Sequence, residues 1–142
     1  MLYPAVKEWW IDPLADTDDP VAVMQDILRR FRRLIDHEKP EDGYLRNGCP
    51  ICNYAVEMAP LDEGFRERLD QLYGAWRRAI ANALKRGQQA GAVSPDVRPA
   101  EEAAFVVAIF AGIASTGKVA QWASLFHNGL RAMEQHLDSL RG

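Results

Sequence analysis

The sequence predicts an all-α protein, a bundle of five or six helices. Three observations lead to that expectation. From Asp62 to Gly91 apolar residues recur at steps of three and four, the period of one face of an α-helix. No stretch shows the period-two alternation of β-branched residues that marks a strand. Proline and acidic residues stand together where helices start, at Asp19-Pro20 and at Pro99 with Glu101 and Glu102. Of the 142 residues, 48% are hydrophobic and 26% charged, which suits a chain with a real core. That length is one domain, residues 1–142.

The first helix is expected from Leu2 to Pro13, with Leu2, Val6, Trp9 and Trp10 on one side. Pro13 should end it, because the residue before a proline avoids the helical region. The Asp19-Pro20 pair opens a second helix that runs to about His37. Its buried face is Val23 or Met24, Ile27, Leu28, Phe31, Leu34 and Ile35. Arg29, Arg30, Arg32 and Arg33 on this helix could form a phosphate-binding patch. The interleaved Asp26, Asp36 and Glu38 favour an ordinary solvated face, with the arginine stems lying over the core.

Residues 38–48 read as a loop from their Pro, Asp-Gly and Asn-Gly signals. Cys49 to Ala59 is a short helix, stopped by Pro60. The longest helix follows, with Asp62 as its N-cap and Phe65, Leu69, Leu72, Trp76, Ile80, Ala83, Leu84 and Gly87 as its stripe. Gly91 can take the left-handed turn that stops it. The helix opened by Pro99, expected through about Ser115, is apolar on more than one face: Phe105, Val106, Val107, Ile109, Phe110 and Ile113. The last helix is expected over roughly Val119 to Leu140. Trp122, Phe126, Leu130, Met133, Leu137 and Leu140 mark its stripe, and from Phe126 to Leu140 the spacing is that of a two-heptad seam.

Two helices with more apolar surface than one core needs should pair with a second copy across a two-fold axis. The expected dimer interface is a four-helix arrangement of the last two helices. It would hold Ala108, Ala111 and Gly112, small enough for close approach, and Phe126, Leu130, Met133 and Leu137.

The ordered set Gly48-Cys49-Pro50, Glu57-Met58, Trp76, Ala83-Leu84, Gly87-Gln88, Gly91, Ser94-Pro95-Asp96, Pro99 and Glu101 resembles the C-terminal domain of TetR/AcrR-type transcriptional regulators. The resemblance covers essentially the whole chain. It implies a homodimer whose helices enclose a small effector, and whose last two long helices form the dimer. It implies that DNA is contacted only through an N-terminal helix-turn-helix domain, which these residues do not contain. Met1-Leu2-Tyr3 line up with the helix that follows that domain in the family.

An effector site would draw on the aromatic and sulfur set. The ligand-binding candidates are Tyr54, Met58, Tyr73, Trp76, Phe105 and Ile109, with Trp9, Trp10 and Phe110 in the same apolar class. Asn53, Glu57 and Gln121 could supply a few polar contacts. For each of these, membership of an ordinary core is the simpler reading.

Cys49-Pro50-Ile51-Cys52 is a CxxC at a helix start. It could be a thiol–disulfide pair, since a helix N-terminus lowers a thiol pKa. It could be half of a metal site, although a closed zinc site needs four ligands and His37, His127 and His136 show no paired spacing. The simplest reading is two small buried residues. A redox or metal sensor thus stands as an alternative function, and a helical adaptor without ligand as another.

No catalytic triad, phosphate loop or metal motif appears, so neither an enzyme nor a cofactor is expected. The net charge of −3 and sequence pI of about 5.6 argue against a dedicated nucleic-acid surface. There is no signal-peptide pattern, and the apolar run Ala103 to Ala114 is too short to span a bilayer. A cytoplasmic protein with no membrane partner is the expectation.

Overall fold

The computed structural model describes residues 2–39 and 43–142, and within them every side chain except those of Leu2, Tyr3, Leu45 and Tyr54. The chain runs α1 (Leu2–Val6), a π-helical turn (Lys7–Ile11), α2 (Asp12–Ala15), α3 (Pro20–His37), α4 (Tyr44–Asn47), α5 (Pro50–Met58), α6 (Glu63–Gln89), α7 (Pro99–Ala120) and α8 (Ala123–Asp138). Residues 2–15 form one rod. With that rod counted once and the single turn α4 set aside, six helices make an all-α bundle. The described residues contain no strand, only an isolated bridge between Val93 and Arg141.

Pro13 does not end the first helix. Just ahead of it the chain widens into the π turn, where the Asp12 N–H bonds to the Lys7 carbonyl five residues back. The Lys7 ammonium reaches the Asp12 carboxylate at 2.8 Å over the same separation. Since proline offers no N–H, a locally wider ladder carries it at little further loss. Val6, Trp10 and Leu14 stay buried along one side, with Trp9 half-buried beside them.

Two caps act as the sequence suggests. The Asp19 carboxylate accepts from the Ala22 N–H at 3.1 Å, and that of Asp62 from the Phe65 N–H at 3.0 Å. Gly91, with φ +81°, closes α6. The loop that follows is clamped by Gln88, whose side-chain amide donates to the carbonyls of Ser94 (3.1 Å) and Val97 (2.7 Å). The Ser94 N–H donates to the Leu140 carbonyl at 2.8 Å, so the chain end lies against this loop.

α6, α7 and α8 form successive antiparallel hairpins, and α3 lies antiparallel on α8. Gln25 of α3 is buried, and its side-chain amide donates to the Glu134 carbonyl at 3.0 Å and to Asp138 at 2.8 Å. One and two turns along, Arg29 (3.0 Å) and Arg32 (2.9 Å) share the Glu134 carboxylate, and near the far end Asp36 meets His127 at 2.8 Å. Arg30 instead lies over the Trp9 ring, 4.4 Å from its centroid. Three of the four clustered arginines are thus engaged within the fold.

Helix boundaries in the last third differ from the sequence expectation. α7 runs on to Ala120, and Gln121 takes the left-handed conformation (φ 53°) that ends it, its N–H bonded to the Gly117 carbonyl at 2.9 Å. Trp122 then caps α8 with its side chain 66% exposed, so it is not part of the buried stripe. At 22 residues α7 is long and apolar enough to cross a membrane, which the shorter run Ala103 to Ala114 had concealed. It packs along α6 and α8 through Ala103, Val106, Val107, Phe110, Ala114 and Gly117, the core side of a bundle helix.

The α8 seam requires a correction. Phe126, Leu130, Met133 and Leu137 are each at most 3% exposed within the single chain. They pack into the protomer's own core and have no surface left to give to a second copy. The uncovered apolar side belongs to α7 and the start of α8: Ala104, Phe105 (44% exposed), Ala108, Ile109, Gly112, Val119 and Leu125. Ala111 is half-buried at the border of that face.

Candidate functional site

A cavity of about 280 Å³ lies where the first rod, α3, α4, the start of α5, α6 and α7 converge. Its wall is nearly all apolar. Trp9 and Trp10 come from the π turn, Phe31 and Leu34 from α3, Tyr44 from α4, Cys49 and Ile51 from the α5 start, Trp76 from α6 and Phe110 from α7. The rings hold one another in tilted and edge-on contacts. Trp10 lies 5.2 Å from Trp76 and 5.4 Å from Phe110, and Phe31 lies 4.9 Å from Phe110 and 4.5 Å from Trp9. Such offset geometry suits the ring quadrupoles and makes a stiff wall. The exposed members Ala5, Leu34 and Pro50 mark the mouth, so Leu34 is a rim residue where the stripe had placed it in the core.

One polar atom in this wall is unusual. Trp76 is 1% exposed, and its indole N–H has no hydrogen-bond partner among the described residues. A buried donor without an acceptor costs on the order of 1–3 kcal/mol. Orphans of that kind gather where a ligand supplies the missing partner.

Of the sequence candidates, Trp76 lines the cavity. Tyr73 stands behind it, stacked on Trp76 with centroids 6.2 Å apart, and faces a separate groove with Arg77, Ala104 and Ala108. Met58 is half-buried at the end of α5 and is not among the lining residues. The side chain of Tyr54 lies outside the described residues. Phe105 and Ile109 point to the outer side of α7, Phe105 against His136, and do not reach the cavity. Asn53, Glu57 and Gln121 do meet, but in a different groove beside Arg46 and Lys118. There Asn53 donates to the Asn47 carbonyl at 2.7 Å, and Gln121 donates to the Lys118 carbonyl at 2.6 Å. The sequence pointed to Trp9, Trp10 and Phe110 but not to Phe31, Leu34, Tyr44 or Ile51. Helical periodicity marks which residues turn inward, not which inward residues border a void.

Cys49 and Cys52 are free and buried, and they sit between the two spaces. Cys49 lines the aromatic cavity and Cys52 the polar groove. Cys49 stands at the N-cap of α5 with Tyr44 in the same cavity wall, Cys52 follows one turn on, and Tyr73 of α6 neighbours Cys52. The Cys52 hydrogen bond, against the cost of burial, holds the Cys49 thiol down at about 6, helped by Tyr44 and the first amides of α5. The same bond, with burial, pushes Cys52 up. Burial first, then the neighbouring cysteines, raises Tyr44 and Tyr73. No group of three or more metal-ligating side chains occurs among the described residues.

Residues 22–133 match the family model described as "Tetracyclin repressor-like, C-terminal domain". The HTH-type transcriptional repressor DhaR of Mycobacterium sp. (strain GP1) is 31% identical over 65 residues, 46% of this chain and 33% of that protein. An HTH-type transcriptional regulator encoded in the lacX 3′ region of Lactococcus lactis subsp. lactis is 32% identical over 71 residues, 50% of this chain and 34% of that protein. The matched segments thus span about a third of the length of these curated relatives. A TetR transcriptional regulator from Chloroflexus aurantiacus J-10-FL superposes with a TM-score of 0.79 at 22% identity, over 99% of this chain and 68% of that one. Reduced E. coli NemR superposes with a TM-score of 0.56 at 17% identity, over 87% and 72%. The two structures share the fold, and the family model covers most of the sequence. The chain therefore belongs to the tetracycline-repressor-like C-terminal domain family, whose members are transcriptional regulators and not enzymes.

Proposed function

We propose that this chain is the effector-sensing and dimerising part of a TetR-type regulator of transcription in the cytoplasm. The observation that carries this reading is the aromatic cavity lined by Trp76, whose buried indole N–H has no partner among the described residues. Its effector is a small, mainly apolar molecule of one or two rings carrying a hydrogen-bond acceptor. DNA is read by a helix-turn-helix segment outside these residues, of the kind the names of the curated relatives declare. Trp9 and Trp10 belong to the rod at the start of the chain, so an occupant pressing on them acts on the element nearest to such a segment. A shift follows only if the effector binds the two arrangements with different affinity.

The partner in the dimer is a second copy, seated on Phe105, Ala108, Ile109 and Gly112 of α7 and Leu125 of α8. An uncovered apolar strip of this kind is rare on a monomer.

A thermal-shift and calorimetry series with indole, 1-naphthol and related one- and two-ring compounds tests the cavity. A ligand at a hundred times its Kd stabilises by about 2.7 kcal/mol, which raises Tm by roughly 10 °C in a domain of this size. Leu34→Trp, placed at the mouth, is expected to abolish the shift. A panel without any shift would favour a ligand-free adaptor.

A further inference from the structure

The buried dithiol has no part in reversible effector binding, yet it is built into the wall of the same cavity. Pro50 and the fixed spacing of the motif set Cys49 at the N-cap of α5 and Cys52 one turn on. Around them stand the two tyrosines, each on a different helix. Cys49 therefore has the apolar chamber in front of it and Tyr44 in the same wall, and Cys52 lies one turn behind, bordering the neighbouring groove.

We propose that Cys49 and Cys52 act as an attacking and resolving dithiol pair, and that the aromatic cavity delivers an apolar organic hydroperoxide to Cys49. The Cys49 thiolate attacks the terminal oxygen of ROOH. An S–O bond forms and the O–O bond breaks, its electron pair leaving on RO. The alkoxide takes a proton from the Tyr44 hydroxyl, which solvent restores, and departs as the alcohol. Cys52 then attacks the Cys49 sulfur: the S–S bond forms, the S–O bond breaks, and the hydroxide takes the Cys52 proton and leaves as water. The balance is one dithiol and one ROOH to one disulfide, one ROH and one water. The dithiol supplies both electrons, so the step needs no further reductant and fires once per chain.

Three features of the structure support the assignment. Cys49 stands at the N-cap of α5 and in the cavity wall, and its thiol is held below the ordinary value, which favours the nucleophile this chemistry needs. A second thiol one helical turn away stops the oxidation at the disulfide, short of the irreversible acids. The walls of Trp9, Trp10, Phe31, Trp76 and Phe110 favour an aryl or alkyl body over the small polar hydrogen peroxide. The proposal uses the cavity described above but does not depend on its reversible occupant.

Thiol counting and stopped-flow kinetics on the whole chain, with cumene hydroperoxide and hydrogen peroxide as probes, test it. One equivalent of cumene hydroperoxide is expected to remove both thiols, forming a disulfide within one chain. It should react faster than hydrogen peroxide by about tenfold or more, a fraction of what burying a phenyl ring supplies. Cys52→Ser should stop at a sulfenic acid on Cys49 that dimedone traps, and Cys49→Ser should lose the fast reaction. Leu34→Trp should slow cumene hydroperoxide more than hydrogen peroxide. Equal rates for the two peroxides, fast reaction in Cys49→Ser, or a disulfide between chains would each overturn the proposal. Binding of unreactive cumene, followed by calorimetry, separates the two readings: cumene bound without thiol loss on peroxide treatment sinks the dithiol pair and leaves the effector cavity standing.

Discussion

Gly117 of α7 lies directly under the ring of Phe126 of α8, where an added β-carbon would stand 2.3 Å from the ring carbon Cδ2. The ring is 1% exposed and also touches Tyr44 edge-on, so it cannot swing away. Gly117→Ala should therefore cost about 1–3 kcal/mol by overpacking, although alanine is the better helix former by about 1 kcal/mol. Urea denaturation reads this directly. Phe126→Leu should lower the penalty of Gly117→Ala in a double-mutant cycle, and strict additivity would refute the contact.

The dimer hypothesis rests on the outer face of α7 and separates two substitutions sharply. Ala108→Glu puts a charge on an exposed site and is expected to give a folded monomer by sedimentation equilibrium, the unmutated chain being a dimer at tens of micromolar (about the range an interface of this class needs). Leu130→Glu buries an unpaired carboxylate inside one chain and should unfold it, not merely split it. A monomeric unmutated chain would remove the hypothesis.

Alkylation of Cys49 by iodoacetamide should follow a midpoint near pH 6, where an ordinary thiol gives about 9. The groups facing the pair are Cys52 on α5, Tyr44 on α4 with Glu38 nearby, Tyr73 and Arg77 on α6, and on α7 Lys118, whose ammonium reaches Asn53. The folded value lies below the unfolded one. The stability contributed by the Cys49 anion is thus fully present above about 9 and disappears as pH falls through about 6. The stability difference between the unmutated chain and Cys49→Ser should widen over that interval as pH rises. A flat difference would sink the assignment of the low value to Cys49.

Glu134 is the hinge of the α3–α8 contact, because its carboxylate, 12% exposed, takes both Arg29 and Arg32. Glu134→Gln should cost on the order of 1–3 kcal/mol, well above the value of an exposed pair. For the same reason replacing Arg29, Arg30, Arg32 and Arg33 with glutamine is expected to lower Tm. Three of these arginines serve the fold, and the chain by itself should show no sub-micromolar affinity for duplex DNA near physiological salt, with or without the cluster. An electrophoretic shift that disappears in the quadruple variant would contradict this.

Most of the helix starts were legible because each rests on local chemistry: a carboxylate cap at Asp19 and Asp62, a proline at Pro20 and Pro99. The helix ends in the last third were not, because Gln121 ends α7 in a left-handed conformation that glycine or asparagine usually signals. Pro13 misled because a π turn is a response of the backbone to its neighbours, not a pattern of residue types. The seam on α8 shows the same limit at the level of packing. The spacing of Phe126, Leu130, Met133 and Leu137 declares an apolar stripe, but cannot say whether the stripe meets α3 and α7 of its own chain or a partner. Trp76 and Phe105 drew the same expectation from the sequence, yet only Trp76 borders the cavity, since both sit on helices with apolar faces and only the third dimension separates inner from outer sides.

The α3–α8 contact also sets a timetable. The hairpins α6–α7 and α7–α8 close across the short stretches 90–98 and 121–122, whereas Gln25 meets Glu134 across a sequence separation of 109 residues. Distant pairing must meet a large loop-closure cost before any contact repays it. The three C-terminal helices should therefore acquire protected amides first in pulsed hydrogen exchange, and α3 with the N-terminal rod should join last. The aromatic chamber, which needs both halves, would come into being only at that final docking, so the rod that carries Trp9 and Trp10 should also be the part that opens most readily from the native state.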